Sequence, residues 1–150
     1  MTMTLSELTA RTGLDVLDHL ERQVTIPVVD GLQAQGDLIV VPYAYVEHSM
    51  DDHADARWQD VPAAGIELLR SAAGGNPHTL VADPGTCRWT TDVRDTVRLA
   101  LGMLETSAVA YLIHPEHGGT GIAPGRYVVR RQRERATDRT AWFGNRMIAD

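Results

Sequence analysis

The sequence predicts a mainly β protein, a small barrel or sandwich with an N-terminal helical extension. Short apolar segments recur between residues 37 and 135, which is typical of an all-β domain. Clusters of turn-forming residues, such as the one from Gly74 to Pro77, separate these segments. The start of the chain instead carries leucines at helical spacing. Together these observations favour a β domain preceded by a helix.

Residues 4–24 have the pattern of an amphipathic helix. Thr4 and Glu7 match a capping box at its start. Gly13 weakens the middle of the segment, so that two shorter helices are an alternative. The apolar positions recur at intervals of three, four and six residues: Leu5, Leu8, Leu14, Leu17, Leu20 and Val24.

The apolar stripe of this helix needs a surface that buries it. We place a helical extension in residues 1–30 and a β-rich domain in residues 31–150, which leaves the helix outside the β core. That surface could be the domain's own core, a second copy of the chain or a larger protein assembly. We expect the stripe to contact a partner chain, through Leu5, Leu8, Leu14 and Leu17.

Strands are predicted from short runs of apolar and β-branched residues. Four segments have this composition: residues 37–42, 78–82, 108–113 and 127–135. Periodicity alone allows either a helix or a strand in residues 65–70 and 92–105. Gly118, Gly119 and Gly121 argue against regular structure at that point of the chain.

The composition predicts one soluble domain in a reducing, cytoplasmic setting. The 150 residues are 43% hydrophobic and 23% charged, which is ordinary for a globular protein. Cys87 is the only cysteine, which excludes a disulfide framework and favours a buried structural thiol. No segment approaches the roughly 20 apolar residues of a membrane span, and residues 1–4 lack the start of a signal peptide. No membrane contact is therefore expected.

Charge is distributed unevenly along the chain. All 14 cationic side chains are arginine, and the formal net charge is −6. Residues 1–118 contain seven arginines against 17 acidic residues, whereas residues 119–150 contain seven against three. Net acidity argues against non-specific binding of nucleic acid by the whole surface, but it allows a local basic face.

Several segments resemble an uncharacterised family of small bacterial and phage proteins. The run Gln35–Pro42 is similar to the family's QGDVLLVPV, and His114–His117 is similar to its HEEH or HPEH. Residues 124–134 are similar to its PGxYxVxRQRE. Residues 76–80 are similar to its GHAH segment, although an asparagine or a proline replaces the first histidine.

The resemblance covers residues 33–150 in outline. It implies a compact β-rich fold, and it therefore favours strands over helices at residues 65–71 and 96–105. It implies no established activity, so a function has to be argued from the residues themselves.

One group of residues has the chemistry of a metal site. His78, His114, Glu116 and His117 could supply imidazoles and a carboxylate to a divalent transition metal. Pro115 favours a turn, in which the two flanking histidines can face the same way. We favour the alternative, in which these side chains form hydrogen bonds or partner contacts that shape a glycine-rich loop.

The predicted strand at residues 127–135 is rich in arginine. In an extended conformation Arg131, Arg133 and Arg135 share one side, with Arg130 and Gln132 on the other. Guanidinium groups suit phosphate or carboxylate ligands. We expect these arginines to pair with acidic residues of the body or of a neighbouring subunit, in preference to single-stranded nucleic acid.

These features favour a small non-enzymatic binding or assembly protein that acts through protein–protein contacts, as a homo-oligomer or in a larger assembly. The alternative is a cupin-like metal-dependent enzyme, with His78, His114 and His117 as ligands and Glu116 as ligand or base. A third alternative is binding of single-stranded nucleic acid by the arginine-rich strand. The sequence contains no phosphate-binding loop, dinucleotide fingerprint or serine-hydrolase motif.

Overall fold

The protein is built mainly from short β-strands. The computed structural model describes residues 3–14, 16, 25–51, 55–70, 76–134 and 146–147. The helical elements are α1 (Leu5–Thr12), α2 (Tyr43–Val46) and a 3-10 helix (Glu47–Ser49). The strands are β1 (Val28–Val29), β2 (Gln33–Gln35), β3 (Leu38–Pro42), β4 (Gln59–Asp60), β5 (Ile66–Arg70), β6 (Pro77–Val81), β7 (Cys87–Thr90), β8 (Ala100–Thr106), β9 (Ala110–His114), β10 (Gly118–Ile122), β11 (Gly125–Arg131), β12 (Arg133–Glu134) and β13 (Arg146–Met147).

Two sheets pack face to face in a sandwich-like arrangement. The five-stranded sheet has the order β1-β10-β9-β6-β5, and the six-stranded sheet has the order β2-β3-β11-β8-β7-β4. Strands β12 and β13 form a separate antiparallel pair. Within the two large sheets all pairings are antiparallel except that of β1 with β10. The predicted mainly β fold is confirmed, and the sheets are not closed into a barrel.

The core lies between the two sheets, because alternate residues of each strand face inward. It contains buried side chains from both sheets: Leu38, Val40, Val61, Leu80, Cys87, Trp89, Leu104, Ala110, Leu112, Ile122, Tyr127 and Val129. Burial raises the pKa of the Cys87 thiol to about 11, although a hydrogen bond with Thr106 opposes this. The predicted buried thiol is confirmed.

The predicted strands are observed where apolar composition placed them, as β3, β6, β9 and β11. The two segments with ambiguous periodicity contain strands β5 and β8, as the family resemblance implies. Residues 92–99 lie outside strands and helices and form the connection between β7 and β8. No helix within the described ranges is long and apolar enough to cross a membrane.

The glycines of β10 contradict the prediction of irregular structure at residues 118–121. They form a strand because the N-terminal segment crosses it closely. A Cβ atom on Gly121 would lie 2.8 Å from Cγ2 of Val28, and one on Gly119 would lie 3.2 Å from Cδ1 of Ile26. The missing side chains therefore make room for β1 and the residues before it.

Helix α1 is shorter than the predicted helix at residues 4–24. The predicted capping box is present, with the side chains and backbones of Thr4 and Glu7 bonded to each other. The helix ends because Gly13 adopts a left-handed conformation, with φ of 73°.

The apolar side of α1 packs on the chain's own five-stranded sheet. Leu5 and Leu8 are buried against Val81 and Ile113, on the face of the sheet opposite to the inter-sheet core. Both side chains are thus covered by the chain's own sheet, and a partner contact through Leu5 and Leu8 stays a prediction. Leu14 is partly buried against the same cluster, and Leu17 lies outside the described residues.

The outer face of the six-stranded sheet is covered by α2, the 3-10 helix and the loop between β7 and β8. These elements enclose an apolar cluster: Val41, Val46, Met103 and Val128, with Ile39, Tyr43, Met50, Trp58, Val93 and Ala100 partly buried around it. Arg98 in this loop has a φ of 58°, the only positive value at a non-glycine position among the described residues. This conformation costs an ordinary L-residue about 1 kcal/mol.

Candidate functional site

The three histidines predicted to form a site lie close together at one end of the sandwich. His78 lies on β6, His114 ends β9, and His117 lies in the turn before β10. The ring centroids of His78 and His114 are 4.4 Å apart, and those of His114 and His117 are 4.6 Å apart. His78 and His114 are only 1% and 3% exposed, whereas His117 is exposed. The three rings therefore run from the interior to the surface.

The pairing of β6 with β9 explains why the two buried rings meet. Thr79 lies opposite Ile113, and Leu80 lies opposite Leu112. Both leucines face the inter-sheet core, and side chains two residues apart on a strand share a face. His78 and His114 therefore face the interior at the end of that core.

His78 connects the two sheets through hydrogen bonds. Its Nδ1 lies 3.0 Å from Oε1 of Gln35, and its Nε2 lies 3.1 Å from Oδ1 of Asp37. The amide nitrogen of Gln35 donates to the backbone oxygen of Leu112 at 3.0 Å. Because Gln35 must present its nitrogen to that carbonyl, its oxygen faces His78, and Nδ1 of His78 carries a proton. The contact between Nε2 of His78 and Asp37 is buried, because the two side chains are only 1% and 9% exposed.

His114 organises the turn that follows β9. Its Nδ1 accepts hydrogen bonds from the backbone nitrogens of Glu116 at 3.0 Å and His117 at 3.2 Å. Nδ1 therefore carries no proton, and a neutral His114 has its proton on Nε2. Glu116 is exposed, and its carboxylate accepts a hydrogen bond from the side chain of Asn76 at 2.5 Å.

These contacts bear on the predicted metal site of His78, His114, Glu116 and His117. Among the residues that the structure describes, no group of three or more His, Cys, Asp or Glu side chains is arranged to hold a metal ion. Both ring nitrogens of His78 and the Nδ1 of His114 are engaged in hydrogen bonds. A metal bound by His78 or by Nδ1 of His114 would have to displace these hydrogen bonds, and metal binding at these residues stays a prediction.

Gln35 and Asp37 are partners of the histidine cluster that the sequence did not predict. They flank Gly36 in the tight turn between β2 and β3, where Gly36 has a φ of 58°. The sequence does show two polar residues next to an apolar strand. Their role as hydrogen-bond partners could not be predicted, because it depends on His78, which is more than 40 residues away in sequence.

The arginines of β11 and of the residues that follow it differ in their environments. Arg126 pairs with Glu105 at 2.6 Å, and Nε of Arg130 lies 3.0 Å from Oδ2 of the buried Asp95. The side chain of Arg131 is exposed. The side chain of Arg133 and all of Arg135 lie outside what the structure describes, so the predicted shared face of the three stays a prediction.

A second cluster, the arginine–aromatic surface, lies on the outer side of the six-stranded sheet. It consists of Tyr43, Trp58, Arg88, Glu105 and Arg126. Glu105 lies opposite Arg88 on β7 and opposite Arg126 on β11. Its Oε1 accepts hydrogen bonds from Arg88 at 2.7 and 3.0 Å, and its Oε2 accepts from Arg126 at 2.6 and 2.9 Å. These bonds, first those from Arg126 and then those from Arg88, lower the pKa of the Glu105 carboxyl.

Two aromatic rings complete this surface. The guanidinium carbon of Arg88 lies 4.6 Å from the centroid of the Trp58 ring. That of Arg126 lies 5.5 Å from the Tyr43 centroid and 5.8 Å from the Trp58 centroid. Sequence reasoning missed this surface, because its five residues lie in separate parts of the chain and no local pattern predicts that they are in contact.

The sequence of the chain matches a known domain family. Residues 34–132 match the family described as Domain of unknown function (DUF8820), and the chain belongs to it. The matched residues include Gln35, Asp37 and all five residues of the arginine–aromatic surface. No curated protein and no solved structure is significantly similar to the chain.

Proposed function

We propose that this chain is a small non-enzymatic binding or assembly protein that acts through protein–protein contacts. The observation that carries the proposal is the arginine–aromatic surface. Arginine, tryptophan and tyrosine are the residue types that contribute most often to the binding energy of protein interfaces. Here they adjoin one another on the face of a rigid sheet, which is the arrangement that an interface requires.

The side chains of Arg88 and Arg126 are held in fixed conformations, which supports the proposal. Glu105 holds Arg88 and Arg126 through two hydrogen bonds each, while Trp58 lies against both guanidinium groups. Both arginine side chains remain partly exposed. An arginine that is already ordered loses less conformational freedom on binding, so more of its contact energy is available to a partner.

The charge, the cysteine and the arginine–aromatic surface also indicate where the chain acts and what it binds. We infer a homo-oligomer or a larger protein assembly in the cytoplasm, since the chain is acidic overall and its only cysteine is a buried thiol. A partner that meets the arginine–aromatic surface would present carboxylates together with apolar side chains, which match the guanidinium groups and the rings.

The test compares Arg126→Ala with Arg11→Ala. Each change removes one arginine that pairs with a carboxylate, but Arg11 lies on α1, over the other sheet. Self-association is measured by light scattering across a concentration series, and binding of other proteins by cross-linking in extracts of the source cells. We expect Arg126→Ala to weaken association by about tenfold or more, as for a typical central interface arginine. An unchanged association in Arg126→Ala, or an equal loss in Arg11→Ala, would overturn the proposal.

A second candidate function is a metal-dependent enzyme of cupin-like geometry. The observation that favours it is the proximity of three histidine rings, with centroids 4.4 to 6.3 Å apart. In this function His78, His114 and His117 are the ligands, and Glu116 is a further ligand or a base. The test is elemental analysis of untagged protein. Stoichiometric zinc, iron or manganese that is lost in His117→Ala would place this function first, and substoichiometric metal in both proteins would eliminate it.

A further inference from the structure

An open cleft of about 440 Å³ lies beside the loop between β7 and β8. Its lining comes from this loop and the start of β8: Val93, Arg94, Asp95, Arg98 and Ala100. The side chains of both arginines are exposed, as is that of Val97 between them. The cleft is therefore a cationic depression on a protein whose formal net charge is −6.

The acidic residue of the lining, Asp95, is already occupied. Its Oδ1 accepts hydrogen bonds from the backbone nitrogens of Leu99 at 3.0 Å and of Ala100 at 3.3 Å. Its Oδ2 lies 3.0 Å from Nε of Arg130, and the carboxylate is fully buried. Within the described part of the chain, neither Arg94 nor Arg98 forms an ion pair. Two arginines that form no ion pair with any described residue therefore border the cleft.

The loop that carries these charges is fixed to the body of the protein. Arg94 accepts a backbone hydrogen bond from Asp51 at 3.0 Å, and Thr96 donates one to Ser49 at 3.1 Å. Because the backbone is anchored at Arg94 and at Thr96, the backbone positions from which the two arginine side chains project are held in place before any ligand arrives. Preorganisation of this kind lowers the entropic cost of binding.

The backbone of Arg98, which borders the cleft, has an unfavourable conformation. Its φ of 58° lies in the left-handed region, which glycine or asparagine adopts more easily than arginine. Strained positions of this kind are concentrated at ligand-binding sites. An arginine at a position where the backbone favours glycine is therefore an outlier that agrees with a binding role for its side chain.

We propose that this cleft binds a phosphate group. Guanidinium groups present N–H donors in a planar fork that matches the oxygens of a phosphate. The two charges of Arg94 and Arg98 balance those of a phosphate dianion, whereas a peptide carboxylate would balance only one. Val93, which lines the cleft, offers an apolar contact for the group that bears the phosphate.

The test is a calorimetric titration of the full chain at about 50 mM salt, where phosphate contacts are strong. One arm uses pyrophosphate, and the other uses a mixed single-stranded oligonucleotide. The variants are Arg94→Ala, Arg98→Gly and, as a matched control on α1, Arg11→Ala. Arg98→Gly is chosen because glycine relieves the backbone strain, so its thermal midpoint should equal or exceed that of the wild type.

We expect binding in at least one arm, weakened about tenfold or more by Arg94→Ala and by Arg98→Gly but not by Arg11→Ala. Binding of pyrophosphate alone assigns the site to a small phosphate ligand, and binding in both arms with a steep salt dependence assigns it to a nucleic-acid backbone. No binding in either arm would overturn the proposal. So would a tetraglutamate peptide that binds as tightly as the phosphate ligands, or an equal loss of affinity in Arg11→Ala.

Discussion

Replacing Leu8 by alanine should destabilise the protein by about 3 kcal/mol, because its side chain is buried between α1 and the five-stranded sheet. Leu8 is 2% exposed and packs with Ile26, Val81 and Ile113. The change removes about three methylene equivalents, or roughly 2.4 kcal/mol at ~0.8 kcal/mol each. The cavity left between the helix and the sheet adds to this loss. At about 2–4 °C per kcal/mol for a domain of this size, the thermal midpoint should fall by roughly 6–12 °C.

The matched control for this prediction is Leu32→Ala. Leu32 is 58% exposed, so the same chemical change should alter the free energy of unfolding by no more than about 0.5 kcal/mol. Both variants are compared with the wild type by urea denaturation and by calorimetry. Equal, small effects at the two positions would refute the packing of α1 on the sheet, and the partner contact predicted for Leu5 and Leu8 would then regain its support.

Three further predictions concern the polar and titratable groups. Gln35→Ala should lower the free energy of unfolding by about 2–4 kcal/mol, because it removes the side chain that bonds the buried Nδ1–H of His78 and the carbonyl of Leu112. A change within about 0.5 kcal/mol in urea denaturation would contradict these two hydrogen bonds. The lowered pKa of Glu105 means that its contribution to stability is present above the pKa of the unfolded state and is lost as the pH falls through the lower folded pKa. The difference in thermal midpoint between wild type and Glu105→Gln should therefore shrink from pH 7 to pH 3, and a constant difference would count against the pairing. Cys87, whose pKa is raised to about 11, should react with a thiol reagent at pH 8 only slowly until the protein is unfolded; rapid reaction of the folded protein would show that the thiol is accessible.

Local signals in the sequence were sufficient where a residue's own neighbours determine its structure. The start of α1 follows from Thr4 and Glu7, which are three residues apart. The apolar run at residues 37–42 forms β3, since a short buried strand needs only that composition. The end of α1 was harder to predict, because Gly13 allowed either a weak point or a stop.

The features that sequence reasoning missed depend on residues far apart in the chain. Gly121 lies in a strand because the N-terminal segment crosses it, and nothing within the glycine-rich run itself indicates that crossing. Glu105 becomes the centre of a charge cluster only when β7 and β11 pair with β8 on either side. Asp37 becomes a partner of His78 only when the two sheets pack together. Register and sheet packing are the properties that a local pattern does not encode.

The parallel pairing of β1 with β10 also sets an order of folding. Val28 pairs with Gly121, which follows it by 93 residues, and the backbone nitrogen of Gly121 donates to the oxygen of Pro27 at 2.8 Å. Such a long-range contact closes a large loop and forms slowly. As the chain emerges from the ribosome, the segment before β1 must wait until β10 has been made. Until then the apolar residues of α1 have no complete sheet to cover, and we expect this stage to be the one at which a nascent chain is most prone to aggregate.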